Sequence, residues 1–213
     1  LSTLPQNILD SVTIFYQGVP VNSMDLGGTF VQSSHLNDSI IWTLSEPYGA
    51  MEWWPCKQDL YDKIDSVDII VTTPQKYRVG SQGVLISENI IGLNKVYHWK
   101  HRYPIPAYLI SLAVTNYAAF SHTANLSQGN LEVLNYVYPE DSLTAYNECQ
   151  GIIPMLEVLD TLLGPYPFMN EVNQNEGTGF VQEDRRENQN QNLNECPNVA
   201  SRNTGDAAAT SNA

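Results

Sequence analysis

The spacing of apolar residues changes once along the chain, and this change restricts the fold more than any other feature. Over most of the first 138 residues, short runs of β-branched and aromatic residues alternate with turn-forming glycines and prolines, a pattern typical of β-strands. These runs cover residues 11–16, 29–33, 39–44, 67–73, 84–87, 95–102, 108–117 and 131–138. The sequence therefore predicts a mainly β domain over residues 1–138, an antiparallel or mixed β-sandwich or a pair of saddle-shaped sheets.

Beyond this region the apolar spacing becomes helical. Apolar residues recur every three to four positions over residues 143–163, and the pattern stops at Gly164. Pro154 would interrupt a single helix, because it lacks an N–H and its ring clashes with the preceding turn. Two helices with a break near Gly151, and with Pro154 in the first turn of the second, avoid this conflict. Residues 139–170 are therefore predicted to form one or two helices.

The last part of the chain has a different composition. Residues 171–213 contain few large apolar side chains, an alternating Asn and Gln run at 188–192, and a small-residue end. Such a segment cannot bury enough apolar surface to offset the entropy lost on ordering. It is predicted to be a mostly disordered tail.

Charge and composition exclude several classes of protein. Lys and Arg number 10 against 23 for Asp and Glu, a net charge of −13, so a nucleic-acid partner is not expected. No apolar run approaches the roughly 18 residues of a membrane span, which predicts a soluble protein. The chain begins at Leu1, as a processed secreted or periplasmic protein or a fragment would, and the sequence does not define its compartment. Its three cysteines, Cys56, Cys149 and Cys196, are far apart, and no disulfide is expected.

Three of the four tryptophans lie within residues 42–56, a segment that also contains Glu46 and Glu52. A turn at residues 47–49 would expose the residues on either side of it. From the residues alone, the tryptophans are assigned to the core and both carboxylates to the surface. The composition of the segment leaves the role of Glu46 undecided.

Four segments of the sequence carry a family resemblance. SEPYGAMEWWPCKQDLYDK, the strand VDIIVTTP, YPIPAYLISLAVTNY and GPYPFMNE resemble, in order and spacing, the amino-terminal domain of the aminopeptidase N-like zinc metallopeptidases. This is the membrane alanyl aminopeptidase family, which includes the leukotriene hydrolases, and the WWPC segment is nearest to its bacterial members. The resemblance covers residues 11–169. It implies that this chain is the non-catalytic amino-terminal portion of an enzyme that removes residues from peptide N-termini.

One binding residue is carried over from the family. Its members have a Gln or Glu nine residues before the Pro of a Pro-Cys pair, which helps to hold the free α-amino group of the substrate. Counted back from Pro55, that position is Glu46. A carboxylate suits this role because it forms charge-assisted hydrogen bonds with an ammonium group. Asp59 and Lys63 match an acidic and a basic position of the family, and both are assigned to structural pairing.

The zinc site of the family does not appear in this sequence. The family reaction needs an HExxH helix and a distal Glu, and none of the four histidines, His35, His98, His101 and His122, lies in such a motif. His98 and His101 would point to opposite faces of the strand predicted there, so they are not expected to share a metal. The expectations are therefore no catalytic and no metal-binding residue here, zinc only in the parent enzyme, and a chain that is inactive alone.

A second motif is treated as a coincidence. Residues 49–53, GAMEW, look like the GxMEN exopeptidase motif of the family, but that motif belongs downstream of the YPF segment. Glu52 is therefore assigned a structural role.

The similarity to the family stops at Glu171, and the family's first strands would precede Leu1. Three possibilities remain: a fragment or frameshifted reading of a longer gene, an uncertain sequence beyond Glu171, or a diverged protein. The composition of the tail favours the first two. A fragment is expected to expose apolar surface on the helix around residues 156–163 and to self-associate through it.

The alternative function is a stand-alone β-sandwich binding module, with Trp42, Trp53 and Trp54 as a platform for a peptide or glycan. At least Trp42 is expected to be buried.

Overall fold

The structure is a computed structural model that describes residues 11–20 and 29–169, together with the backbone of Thr178–Val181. The chain is mainly β, with two α-helices after the first nine strands, which confirms the predicted fold class. The strands are β1 Phe30–His35, β2 Asp38–Thr43, β3 Val67–Pro74, β4 Arg78–Ser81, β5 Val84–Ile91, β6 Asn94–His101, β7 Leu112–Thr115, β8 Ala118–Leu126, β9 Gly129–Val137 and β10 Thr178–Val181. The helices are α1 Ser142–Cys149 and α2 Ile152–Leu163, and short 3-10 helices cover Ala50–Glu52, Ala107–Leu109 and Pro139–Asp141.

The chain divides into two compact units, residues 1–115 and 116–213. In the first unit, β1, β2, β7 and β4 form an antiparallel sheet in that order, and β3, β6 and β5 pair antiparallel in a second layer. Trp99 and Tyr97 on β6 are fully buried between these layers. Trp99 Nε1 donates to the Val79 carbonyl of β4 at 3.2 Å, and the Tyr97 hydroxyl donates to the Tyr77 carbonyl at 3.1 Å. The buried rings thus fill the core while their polar atoms keep hydrogen-bond partners.

In the second unit, β9 pairs antiparallel with β8 and parallel with β10. Helix α2 packs against this sheet through Leu156, which is 7% exposed. The residues that surround Leu156 are Ala124, Leu126, Leu131 and Val133, with Ile152, Ile153, Tyr166 and Met169 packed at the edge. This cluster forms the core of the unit.

The helical region has the predicted break. Helix α1 ends at Cys149 and α2 begins at Ile152, with Gly151 at its N-cap. Pro154 is the third residue of α2, where a backbone N–H has no acceptor within the helix, so its missing donor costs no helical hydrogen bond. Helix α2 ends at Leu163 and is followed by Gly164, whose φ of +93° is readily adopted only by glycine.

Several strand predictions differ from the structure. Residues 11–16, predicted as a strand, have no regular secondary structure, and the Phe15 side chain is 94% exposed. High β-propensity does not form a strand without a neighbouring strand to pair with. The strand predicted at residues 108–117 is reduced to β7, because a 3-10 helix covers Ala107–Leu109 and the chain bends at Asn116.

Three strands were not predicted at all. Strand β4 contains Gly80, and β8 is diluted by Ser121, His122 and Asn125, so neither has a clear run of β-branched residues. Strand β10 falls within the segment predicted to be a disordered tail. The rest of that segment, together with Cys196, lies outside the described residues.

Cys56 is half-buried and Cys149 is buried, and both are thiols. Burial raises the pKa of the Cys56 thiol above its ordinary value.

Among the described residues, the longest helices fall short of the length and apolar character that a bilayer crossing requires.

Candidate functional site

The segment that carries the aromatic cluster begins with a tight turn after β2. The backbone N–H of Gly49 donates to the Ser45 carbonyl at 2.8 Å, and the peptide bond between Glu46 and Pro47 is cis. Gly49 is required here, because a Cβ at this position would lie 2.1 Å from Thr29 Cγ2. The turn is therefore packed directly against the residue that precedes β1.

Two side-chain hydrogen bonds fix the turn and the short helix after it. Trp53 Nε1 donates to Ser45 Oγ at 2.8 Å, and Thr29 Oγ1 donates to Glu52 Oε2 at 2.7 Å. Ser45 and Thr29 are both buried. Hydrogen bonds at such buried positions resist exchange with water, so the orientations of Trp53 and Glu52 are well defined.

Glu46 lies at the exposed corner of this turn. Its neighbour Pro47 lines a small depression of about 10 Å³, together with Lys57 and Tyr108. Glu46 is therefore reachable from solvent on a rigid turn, and the described residues do not enclose it in a cleft.

A much larger cleft, of about 650 Å³, is lined in part by the short helix and the residues that follow it. Its walls include four aromatic rings, one thioether and one carboxylate, from Tyr16, Phe30, Trp53, Trp54, Met51 and Glu52. The sequence alone did not predict this cleft, since it depends on Thr29 and on residues 16–20, which lie far from the WWPC segment in the chain. Glu52, assigned a structural role from sequence, both accepts the Thr29 hydrogen bond and faces this cleft.

The three clustered tryptophans are neither fully buried nor fully exposed. Trp42, Trp53 and Trp54 are all half-buried, so the expectation that Trp42 is buried was wrong. Trp42 lies on β2, opposite Val31 on one side and Ala113 on the other. Only Trp53 and Trp54 line the cleft, and the three indoles do not form one common platform.

The charged residues after Cys56 form a local network. Structural pairing was expected for Asp59 and Lys63, but the ion pair in this segment joins Lys57 and Asp62, and Lys63 is exposed. Asp59 accepts hydrogen bonds from the backbone N–H groups of Tyr61 at 2.9 Å and Asp62 at 3.2 Å. These bonds hold the pKa of the Asp59 carboxyl below its ordinary value. The group caps a turn and has no geometry that suggests catalysis.

The histidines are placed apart from one another and from the aromatic cluster. His98 bonds to Asp68 at 2.7 Å, beside the ion pair of Asp68 with Lys100, which holds the pKa of the Asp68 carboxyl low. His122 packs against the rings of Phe120 and Tyr146, at centroid distances of 5.5 and 4.7 Å, and those two rings also contact each other. Within residues 11–20 and 29–169, no three His, Cys, Asp or Glu side chains are arranged to hold a metal ion.

No protein-family model matches the sequence, and no curated protein matches it. Among solved structures, the chain is similar to a mutant of a two-domain M1 zinc metallopeptidase bound to L-arginine, with 20% identity, a TM-score of 0.55, and coverage of 77% of this chain and 36% of that one. An M1 zinc metallopeptidase from Deinococcus radiodurans gives the same identity and TM-score over 77% and 35% of the two chains. A mutant of the enzyme from this organism, bound to a Tyr-Ser-Ala substrate, gives a TM-score of 0.50 over 67% and 31%. The chain thus spans about a third of the length of these proteins, and what it shares with them is the fold, that of the amino-terminal region of an M1 zinc metallopeptidase.

Proposed function

We propose that this chain is the non-catalytic amino-terminal portion of a zinc metalloaminopeptidase, an enzyme that removes residues from peptide N-termini. The observation that carries the proposal is the fold similarity, which extends over 77% of the chain while covering 36% of a two-domain M1 zinc metallopeptidase. The order and spacing of the WWPC, VDIIVTTP, YPIPAYLISLAVTNY and GPYPFMNE segments agree with it.

The role proposed for Glu46 is to bind the α-ammonium group of the peptide. This role is supported by the exposure of Glu46 and by the hydrogen bond between Gly49 and Ser45, which makes the turn rigid. The fixed backbone of the turn reduces the entropy that is lost when the Glu46 carboxylate forms a charge-assisted hydrogen bond. An internal peptide segment offers no ammonium, so this contact would favour chain ends.

The described residues do not fit a zinc centre. Catalytic zinc needs three protein ligands and an open position, whereas the four histidines lie on three strands, β1, β6 and β8, and no three His, Cys, Asp or Glu side chains of the described residues are arranged to hold a metal ion. We therefore assign no metal and no step of hydrolysis to these residues. The chemistry of the proposed enzyme would belong to a further part of the protein.

Peptide binding tests the role of Glu46. Ala-Ala-NH₂ and acetyl-Ala-Ala-NH₂ would be titrated into the purified chain and followed by NMR chemical-shift changes. The free amine is expected to bind measurably more tightly than the acetylated peptide, and Glu46→Gln should remove this difference. Asp65→Asn is the matched control, because Asp65 is an exposed carboxylate of the same unit outside both the turn and the cleft. Equal binding of the two peptides, or no effect of Glu46→Gln, would contradict the role.

The catalytic part of the proposal has a separate test. The purified chain would be assayed with an aminoacyl arylamide in the presence of added zinc, and its bound metal would be measured by mass spectrometry. No turnover above the zinc-only blank is expected. Stoichiometric zinc together with zinc-dependent turnover would show that the assignment of a non-catalytic portion is wrong.

A stand-alone binding module for a peptide or glycan is the second candidate. The cleft of about 650 Å³ favours it, since a cavity of this size is typical of ligand sites. Hydrolytic activity of a longer chain from the same gene would favour the first proposal over this one.

A further inference from the structure

The large cleft has a distinctive chemical lining. Of the twelve residues that line it, four are aromatic and one, Glu52, carries a charge at neutral pH. None of the twelve is Lys, Arg or His, so the described lining carries no cationic side chain. Aromatic faces carry negative electrostatic potential, and together with a carboxylate they attract cations.

Phe30, Trp53 and Trp54 form a corner of the cleft in which the planes of neighbouring rings are tilted against each other. The Phe30 and Trp53 rings have centroids 6.0 Å apart at an interplanar angle of 40°, and Trp53 and Trp54 are 6.2 Å apart at 59°. A planar cation that stacks on one of these rings would therefore meet the edge or face of the next. Anionic groups are disfavoured at such a corner, because the ring faces carry negative electrostatic potential.

Glu52 is held in place by a residue outside the cleft lining. The buried Thr29 hydroxyl donates to Oε2 of the carboxylate, and this contact restricts the side chain before any ligand binds. Glu52 is half-buried, so water screens its charge less than that of a fully exposed carboxylate. Prior ordering of this kind reduces the entropy that a ligand must offset.

We propose that this cleft binds the guanidinium group of an arginine side chain presented by an extended peptide. A guanidinium is planar, stacks on aromatic faces and pairs with a carboxylate through two parallel N–H groups, whereas a lysine ammonium does neither as well. The net charge of −13 attracts cationic peptides over the whole surface.

A peptide, rather than a free cation, is indicated by the position of β1. The strand is at the edge of its four-stranded sheet, and two of its residues, Phe30 and Gln32, line the cleft. Edge strands offer backbone N–H and C=O groups with which an extended peptide can pair. The cleft volume of about 650 Å³ also exceeds what one guanidinium group fills.

The test uses N-acetylated tripeptide amides, which lack the free ammonium that Glu46 would bind, so the outcome is independent of the proposed function. Acetyl-Gly-Arg-Gly-NH₂ would be titrated into the full chain by isothermal calorimetry, with the Lys and Gln versions as comparisons. The Arg peptide is expected to bind most tightly, the Lys peptide more weakly and the Gln peptide not at all. Methylguanidinium alone is expected to bind at least 10-fold more weakly than the Arg peptide.

Three variants, each of which makes the net charge one unit less negative, separate the cleft from the general field of the protein. Glu52→Gln should weaken binding of the Arg peptide by about 10-fold, because the charge-assisted pair is lost. Met51→Arg, at a lining position that is 60% exposed, should compete with the ligand and weaken binding at least as much without disturbing the fold. Asp65→Asn, outside the cleft, should leave binding within 2-fold of the original protein.

The proposal would be overturned if the Gln peptide bound as tightly as the Arg peptide, or if Glu52→Gln and Met51→Arg behaved like Asp65→Asn. Equal affinity for methylguanidinium and the Arg peptide would show that a free cation, and not a peptide, is the ligand. Far-ultraviolet circular dichroism of each variant establishes whether it is folded. If Glu52→Gln does not fold, Met51→Arg still tests the proposal, because Met51 is exposed.

Discussion

Thr29 and Glu52, separated by 23 residues in the sequence, are joined by a hydrogen bond of 2.7 Å from the Thr29 hydroxyl to Glu52 Oε2. This bond ties the start of β1 to the short helix that leads into the WWPC segment. Thr29→Val keeps the shape of the side chain and removes the donor. We expect it to lower the free energy of unfolding by about 1–2 kcal/mol, measured by urea denaturation.

A double-mutant cycle provides the control for this prediction. In a Glu52→Ala background the acceptor is absent, so Thr29→Val should have a much smaller effect there than in the original chain. An equal effect in both backgrounds would mean that Thr29 acts through packing and that the hydrogen bond contributes nothing measurable.

Gly49 is the second point at which the turn depends on Thr29. Gly49→Ala would bring a Cβ to 2.1 Å from Thr29 Cγ2, so the turn must shift, and we expect a loss of about 1–3 kcal/mol in urea denaturation. Gly18→Ala is the matched control, because a Cβ at Gly18 meets no atom within 4 Å.

A second substitution can relieve this clash. Thr29→Ser removes the Cγ2 atom and keeps the hydroxyl that donates to Glu52, so it should recover part of the stability lost in Gly49→Ala. A double variant that is no more stable than Gly49→Ala alone would contradict the steric origin of the loss.

The sequence predicted the elements that depend on local chemistry. Two helices with a break near Gly151 follow from the conformational limits of Pro154, which act within a few residues. Strand pairing was less predictable, because β8 has a mixed composition and owes its stability to its pairing with β9. For the same reason residues 11–16 look like a strand in the sequence and have no regular secondary structure.

The candidate site also combines features that the sequence marks with features that depend on the folded chain. Glu46 was assigned through the family resemblance, by its position nine residues before Pro55, and its role stays a prediction. The cleft could not be found in this way, because residues 16–20, Phe30, Gln32 and residues 51–55 form it together only after folding. The close approach of Gly49 to Thr29 is marked in the sequence only by the glycine at position 49. Because glycine is common in turns of every kind, its presence does not identify the residue that packs against it.

Asp160 gives a prediction of pH dependence. Its carboxylate accepts hydrogen bonds from the backbone N–H groups of Ser127 at 2.8 Å and Tyr166 at 3.2 Å, which hold its pKa below the ordinary 3.8. A lowered pKa in the folded state stabilises the fold at pH values above the unfolded pKa, and this contribution is lost as the pH falls through the folded pKa. Asp160→Asn should therefore lower the melting temperature near pH 6, and the difference should shrink below about pH 4.

Calorimetric melting curves between about pH 2 and pH 6 measure this effect. Asp65→Asn, which removes an exposed carboxylate elsewhere, should show little difference from the original chain at either end of the range. A deficit for Asp160→Asn that stays constant down to pH 2 would show that the carboxylate charge is not the cause.

The exposed face of α2 predicts that the purified chain self-associates. Apolar side chains on this face are between 47% and 81% exposed, and they are Met155, Val158, Leu159, Leu162 and Leu163. Their spacing of i, i+3, i+4, i+7 and i+8 places them in one continuous stripe beside Leu156, and stripes of this kind associate in water. Sizing by light scattering at increasing concentration should show a rising mass, and Leu162→Glu should reduce it. Thr161→Glu adds the same charge at an exposed polar position of the same helix, so a comparable reduction there would mean that added charge, and not loss of the apolar face, prevents association.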